Sequence, residues 1–256
     1  MNKFAIDSYS NLDSPIHRWE QQSKIIALFI LIFSFAFVQK LILVIPMIGI
    51  TVILYHLSNL PFSFWINRLR YPGFFILAVV IFLPFFSGDT ILFQLGFLSI
   101  KEEGCLHLIL LLSRFLCILT VTLVLFGTAS FIRSFKAMRS LGISSIIIDM
   151  MLLTYRYLEE LGDRLTSRQK AIKLRGFNPG KLNRRNLKTI AQLTGSLLTE
   201  SYERSLRVYQ AMILRGYHYG KLKLSFSLYQ SNLLSWSYTI GVIMIAIIIL
   251  WVEWFG

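Results

Sequence analysis

The chain is 256 residues long, with 55% hydrophobic, 14% aromatic and only 15% charged residues, and its mean hydropathy is +0.62. Soluble globular domains carry about 25% charged and ~45–50% apolar residues, so this composition excludes a water-soluble fold and a disordered chain alike. The formal net charge is +13, and residues 130–230 hold 18 of the 26 basic and 6 of the 13 acidic residues, a net +12 in one block.

In chain order, the first 24 residues are polar, contain Asp7, Asp13 and Glu20, and lack the basic-then-apolar pattern of a signal peptide. Five apolar runs follow: Ile25–Val38, Leu41–Leu57, Tyr71–Phe86, Leu106–Ala129 and Leu233–Val252. A membrane helix needs about 17–25 residues, so the first and third runs must recruit flanking residues. Only Gln39 and Lys40 separate the first two. One helix over both would be ~50 Å long, which predicts a tight helical hairpin instead. Cys105 and Cys117 lie in or beside a single run and imply no disulfide framework.

Lys and Arg concentrate on cytoplasmic flanks. Five spans with an inside N-terminus put Lys3, Arg18 and Lys24, then Arg68 and Arg70, then the +12 block on the inner side. Lys40, Asp89, Lys101, Glu102, Glu103 and Glu253 fall outside. A four-span alternative strands Lys3, Arg18 and Lys24 outside. The expected fold is therefore an all-α integral membrane protein of about five transmembrane helices, multi-pass in the inner (plasma) membrane. Residues 1–130 form a four-helix transmembrane region with a cytoplasmic leader, residues 131–230 a cytoplasmic helical domain, and residues 231–256 the final transmembrane helix.

Residues 130–230 are too long for a loop and too polar to cross. A short helix is expected at Phe131–Leu141. A long one is expected from about Ile146 to Arg175, with Met150, Thr154, Tyr157, Leu161 and Leu165 on one side. A second long one runs from about Leu187 to Arg215, with Leu187, Ile190, Ala191, Thr194, Leu197, Leu198, Ser205, Val208 and Met212 forming its stripe. Both long helices end in the same words: Ala171-Ile-Lys-Leu-Arg175-Gly176-Phe177 and Ala211-Met-Ile-Leu-Arg215-Gly216-Tyr217. Gly176 and Gly216 sit where a helix stops in the left-handed conformation, and Arg175 and Arg215 meet the negative end of the helix dipole. Capping requires neither the upstream Ala nor the downstream aromatic, so the repetition suggests two equivalent plugs for two sockets. A guanidinium with five donors suits a carboxylate-lined groove.

The paired motifs, together with the leader Ile6–Lys24, Arg114 in the fourth run and Leu153–Leu161, resemble the transmembrane T component of energy-coupling factor (ECF) transporters, the EcfT/CbiQ family. The leader departs from the family's Asp-Pro-Arg-x-Lys pattern: Glu20-Gln21-Gln22-Ser23-Lys24 keeps only the lysine. The resemblance implies a non-catalytic coupling subunit between two cytoplasmic ABC-type ATPases and a substrate-binding membrane (S) subunit. It implies uptake of a micronutrient, a cobalt or nickel ion or a vitamin. It further implies that Ala171, Arg175, Gly176, Ala211, Arg215 and Gly216 enter grooves on the ATPases.

Other chemistry is sparse. Gly176-Phe-Asn-Pro-Gly180-Lys181-Leu182 has the wrong spacing for a phosphate loop and lacks its hydroxyl. ATP and Mg²⁺ are thus expected in partner chains, with no cofactor in this one. His17, His56, His107 and His218 are scattered, so no metal site is expected. Arg114, an intramembrane charge, is either functional or a structural partner of a carbonyl or of a neighbouring helix. Glu159, Glu160 and Asp163 read as a solvated face near Arg156 and Arg164. The alternative reading is a lipid-modifying membrane enzyme whose basic block grips headgroups, but no converging set of catalytic acids, bases or ligands stands out. Nucleic acid is not an expected partner, since no recognition motif accompanies the charge.

Overall fold

The computed structural model describes residues 12, 14–86, 91–95, 98–177, 183–217 and 233–255. In chain order the elements are α1 (Pro15–Arg18), α2 (Gln21–Phe37), a 3-10 turn (Leu41–Leu43), α3 (Val44–Leu57), α4 (Phe62–Phe86), β1 (Ile91–Leu95), β2 (Leu98–Lys101), α5 (Glu102–Gly127), α6 (Phe131–Ser140), α7 (Ser145–Leu174), α8 (Arg184–Leu214) and α9 (Leu233–Phe255). The helical class holds with one addition, an antiparallel β1–β2 hairpin between the third and fourth apolar runs. Phe93 there faces Ile100, and Leu95 faces Leu98. The chain forms two units, residues 1–143 with 230–256, and residues 144–229.

In the first unit α5 is the central helix, packed by α2, α3 and α4, while α9 lies along α2. Ala27, Leu28, Leu31, Phe35, Met47, Val121, Val124 and Ala246 fill its interior. The opposite faces are apolar too: Phe33, Phe37, Ile45, Ile53, Ile247 and Trp251 are all exposed. A helix apolar on every side is built for lipid, or for the core of a large protein. Helices α5 (over Leu106–Gly127) and α9 (over Ser235–Phe255) are long and apolar enough to cross a bilayer, and Gln21–Phe37 and Leu41–Leu57 are shorter apolar helices.

The expected break between the first two runs occurs where placed. Helix α2 stops at Phe37, Val38 turns extended at φ −63° and ψ 121°, and the chain re-enters helix through the 3-10 turn. The two arms lean on α5 more than on each other. Two charges from elsewhere hold the turn. Arg114 of α5 donates from Nη2 to the carbonyl of Val38, one of the carbonyls that the end of α2 leaves without an intrahelical partner. The carboxylate of Glu253 on α9 accepts from the Lys40 amide at 3.4 Å. Arg114 is therefore a C-terminal cap for a neighbouring helix.

The leader is tied down as well. Ser14 caps α1, accepting from the His17 amide at 3.3 Å. Trp19 Nε1 donates to Thr239 of α9 at 3.1 Å, and the Glu20 amide to Ser235 at 3.4 Å. Lys24, only 1% exposed, donates to the Ile16 carbonyl at 3.3 Å and to Thr128 Oγ1 at 2.9 Å. Lys24 thus pins the leader to the end of α5.

Arg114→Leu leaves the Val38 carbonyl without its cationic donor, a hydrogen bond of a class that contributes about 1.5–3 kcal/mol. The substituted protein should unfold at a lower temperature in detergent and yield less folded material. A Tmax equal to that of the parent in a thermal-shift assay would refute the capping role.

Candidate functional site

Helices α7 and α8 form the second unit, and polar side chains set their register. Glu160 accepts from Arg204 Nη2 at 2.5 Å and from Arg164 Nη2 at 2.9 Å. Arg164 also reaches Glu200, as does Arg168, and Arg168 donates to Ser196 Oγ at 2.8 Å. Pairings 160 with 204, 164 with 200 and 168 with 196 advance on one helix as they retreat on the other. The hairpin is antiparallel. The guanidinium of Arg204 also covers the Tyr157 ring, 4.9 Å from its centroid. Glu160 was expected on a solvated face; its Arg164 partner is present, but it also sits at the helix crossing, which sequence spacing could not reveal.

The hairpin is inverted relative to a soluble one. No residue of α8 is buried, and in α7 only Ile148 is. The ion pairs lie between the helices, while Leu187, Ile190, Leu198, Tyr202, Leu206 and Tyr209 are exposed along one helix. The expected stripe on α8 is thus present, yet much of it faces outward rather than being covered by α7.

The two motifs fold alike. Gly176 has φ +87° and Gly216 has φ +84°. The Phe177 amide donates to the Ile172 carbonyl at 3.2 Å and that of Gly176 to Lys173 at 3.0 Å; the matching bonds at the second motif, Tyr217 to Met212 and Gly216 to Ile213, are 3.0 and 2.9 Å. These are Schellman caps, which commonly carry an apolar residue just beyond the glycine. An apolar residue there suits the cap, but the cap does not call for an aromatic ring. Helix α6 supplies an internal comparison. It ends at Gly142 (φ +96°) with the same two bonds, Ile143 to Met138 and Gly142 to Arg139, each 3.3 Å, but with Ser140-Leu141 in place of Leu-Arg. What the two motifs add to a generic stop is Leu174-Arg175 and Leu214-Arg215, each with an aromatic after the glycine. Leu174 is 91% and Leu214 88% exposed. Arg175 and Arg215 are exposed, as are Ala171 and Ala211.

The antiparallel register sends the tips to opposite ends. Tyr217 Oη donates to Asp149, near the start of α7, at 3.1 Å. Arg175 instead lines a groove with Asn186, Thr189 and Gln192 of early α8. The ~26 residues from position 149 to 175 correspond to about 40 Å of helix. Among the described residues no group of three His, Cys, Asp or Glu side chains could hold a metal ion; His218 lies outside them.

The Arg204 guanidinium, with Arg164 second, holds the Glu160 carboxyl below its ordinary value of 4.5. A carboxyl lowered on folding contributes stability above its unfolded value and loses it as pH falls through the folded one. The α7–α8 register should therefore persist at neutral pH and loosen only as pH falls below the ordinary carboxyl value of 4.5. Spin labels on the exposed faces of α7 and α8 should report a broadened interhelical distance in that acid range. Glu160→Gln should show the broadening at neutral pH, and an unchanged distribution in that variant would remove the ladder as the register device.

A family model described as "CbiQ: Cobalt transport protein" matches residues 13–228. The "Energy-coupling factor transporter transmembrane protein EcfT" of Streptococcus equi subsp. equi is 28% identical over 260 residues, covering 97% of this chain and 95% of the relative. The protein of the same name from Listeria innocua is 26% identical, with 98% and 96% covered, and that from Bacillus subtilis 25%, with 86% and 87% covered. Each is named as the transmembrane protein of a transporter, not as a catalytic subunit. A match over most of the chain, with the helical architecture described above, shows that the chain belongs to the CbiQ/EcfT family of transmembrane components of energy-coupling factor transporters.

Proposed function

We propose that the chain is the coupling subunit of an ECF-type importer, passing ATP-driven motion from two partner ATPases to a substrate-binding membrane subunit. The observation that carries this reading is the pair of identically capped, exposed Leu-Arg tips at opposite ends of one hairpin. A single binding partner would need one tip; two tips about 40 Å apart suit two motor domains. Arg175 and Arg215 seat in grooves of the ATPases, Leu174 and Leu214 pack beside them, and Gly176 and Gly216 end the helix so that the guanidinium sits at its tip.

Because the helices are joined by an ion-pair ladder and not by a buried apolar seam, they can change crossing angle without exposing a core. Closure of the ATPases on ATP then tilts α7 against α8. The outward apolar face of α8 carries that tilt to the substrate-binding subunit, which supplies the specificity for a cobalt or nickel ion or a vitamin. The complex lies in the inner (plasma) membrane with five spans, and residues 130–230 and the N-terminus face the cytoplasm. ATP and Mg²⁺ stay in the partner chains.

Truncating a desolvated charge contact costs about 2–5 kcal/mol. Arg175→Ala or Arg215→Ala should each weaken ATPase co-purification, and the double change should abolish uptake. Normal ATPase capture and uptake by the double variant would overturn the assignment. Mild-detergent purification should recover two ATPases and a small membrane protein with this chain.

A further inference from the structure

Helix α6 belongs to the first unit, and its ten residues include three cations, Arg133, Lys136 and Arg139, and no acid. It starts only three residues, 128 to 130, beyond the end of α5. Three residues reach at most ~10 Å, and the polar layer on each side of the hydrocarbon is roughly 5–8 Å deep. With α5 across the bilayer, α6 therefore begins in or beside the headgroup layer. It is held there. Ser130 caps it, accepting from the Arg133 amide at 3.4 Å, and the buried Ser134 accepts from Gln21 Nε2, in the first turn of α2, at 3.1 Å.

At 3.6 residues per turn the helix has three sides. Ser134 and Ala137 are buried. Phe131, Phe135 and Met138, all half-buried, form an apolar flank, with Ile132 exposed beside it. Arg133 and Lys136 are exposed on the other flank, and among the described residues neither has an ion-pair partner. The apolar flank continues a row of rings from the end of α5: Phe131 stacks on Phe126 at 6.5 Å between centroids and meets Phe135 at 6.0 Å.

The neighbouring segment has the same character. A Cβ placed on Gly127 would stand 3.3 Å from the Phe64 ring, so the start of α4 lies against the end of α5. The Arg68 guanidinium covers that ring at 5.7 Å, and Phe62 stacks on Trp65 at 5.4 Å. Aromatic rings beside cations are the composition of a membrane–water interface. Residues 104–148 contain no Asp or Glu. Among the described residues of the first unit, Glu20 is the one carboxylate at this end, since Glu102 and Glu103 begin α5 and Glu253 reaches the α2–α3 turn.

We propose that α6 lies in the plane of the interface and binds anionic phospholipid, with its apolar flank among the upper acyl carbons and Arg133 and Lys136 on the phosphates. An amphipathic helix with basic residues on its polar side binds lipid in this way, and cations next to a span attract anionic headgroups. The inference is independent of the coupling reading and needs only that α5 crosses the bilayer.

Phosphatidylglycerol added to the full chain in mild detergent should raise its Tm, and phosphatidylcholine should not. The double change R133Q/K136Q should keep the parent's Tm without lipid and require about 10–30-fold more phosphatidylglycerol for the same shift. Arg207→Gln, in the second unit, should match the parent within about twofold. Equal shifts with the two lipids, the same shift with inorganic phosphate alone, or an unchanged titration in the double variant overturns the proposal. A photo-crosslinking amino acid replacing Ile132, in membranes of cells that make the full chain with its native partners, gives a readout that does not depend on the double variant. It should form an adduct with phospholipid. An adduct on a polypeptide would make the flank a protein interface, and no adduct at all would place it in water; either result overturns the proposal.

Discussion

Everything in the second unit follows from the pairing of Glu160 and Glu200 with Arg164, Arg168 and Arg204. Exposed ion pairs are individually weak, but here they form a connected network whose partners recur every fourth residue on both helices. That repeat fixes an antiparallel register, and the register separates the two arginine tips. Had the helices packed by a leucine seam, the apolar surface of α8 would be consumed within the hairpin. Charges between the helices leave that surface exposed.

The first unit solves a different problem, that of ending helices where water is scarce. The α2–α3 turn meets a guanidinium from α5 on one side and a carboxylate from α9 on the other. The leader is fastened by Trp19, Glu20 and Lys24 to α9 and to the end of α5. Arg114, open between a functional and a structural role on composition, thus has a structural position, and the energetic reason is the orphaned carbonyl that it satisfies.

Local patterns were legible in the sequence because they depend on neighbours in the chain. The break at Val38–Lys40, the long helices α7 and α8, and the glycine stops at 176 and 216 follow from run lengths, period and capping chemistry. The antiparallel placement of the tips did not, since it depends on Arg204 meeting Glu160 across 44 positions. The stop itself does not require the aromatic at 177 and 217, since α6 ends with the same bonds at Ile143. The β1–β2 hairpin carried no signal strong enough to separate it from an apolar flank. The lipid-enzyme reading gives way to the family match.

The packing of α2 on α9 has a consequence for biosynthesis. Ser34 donates to the carbonyl of Ala246, 212 positions later, so the first apolar helix made is completed by the last. At ~5–20 residues per second of translation, α2 waits about 10–40 s for its neighbour while the whole hairpin is being threaded out between them. During that interval its α9-facing side, including Ser34, needs a temporary companion, and the insertion machinery or α5 is the surface within reach.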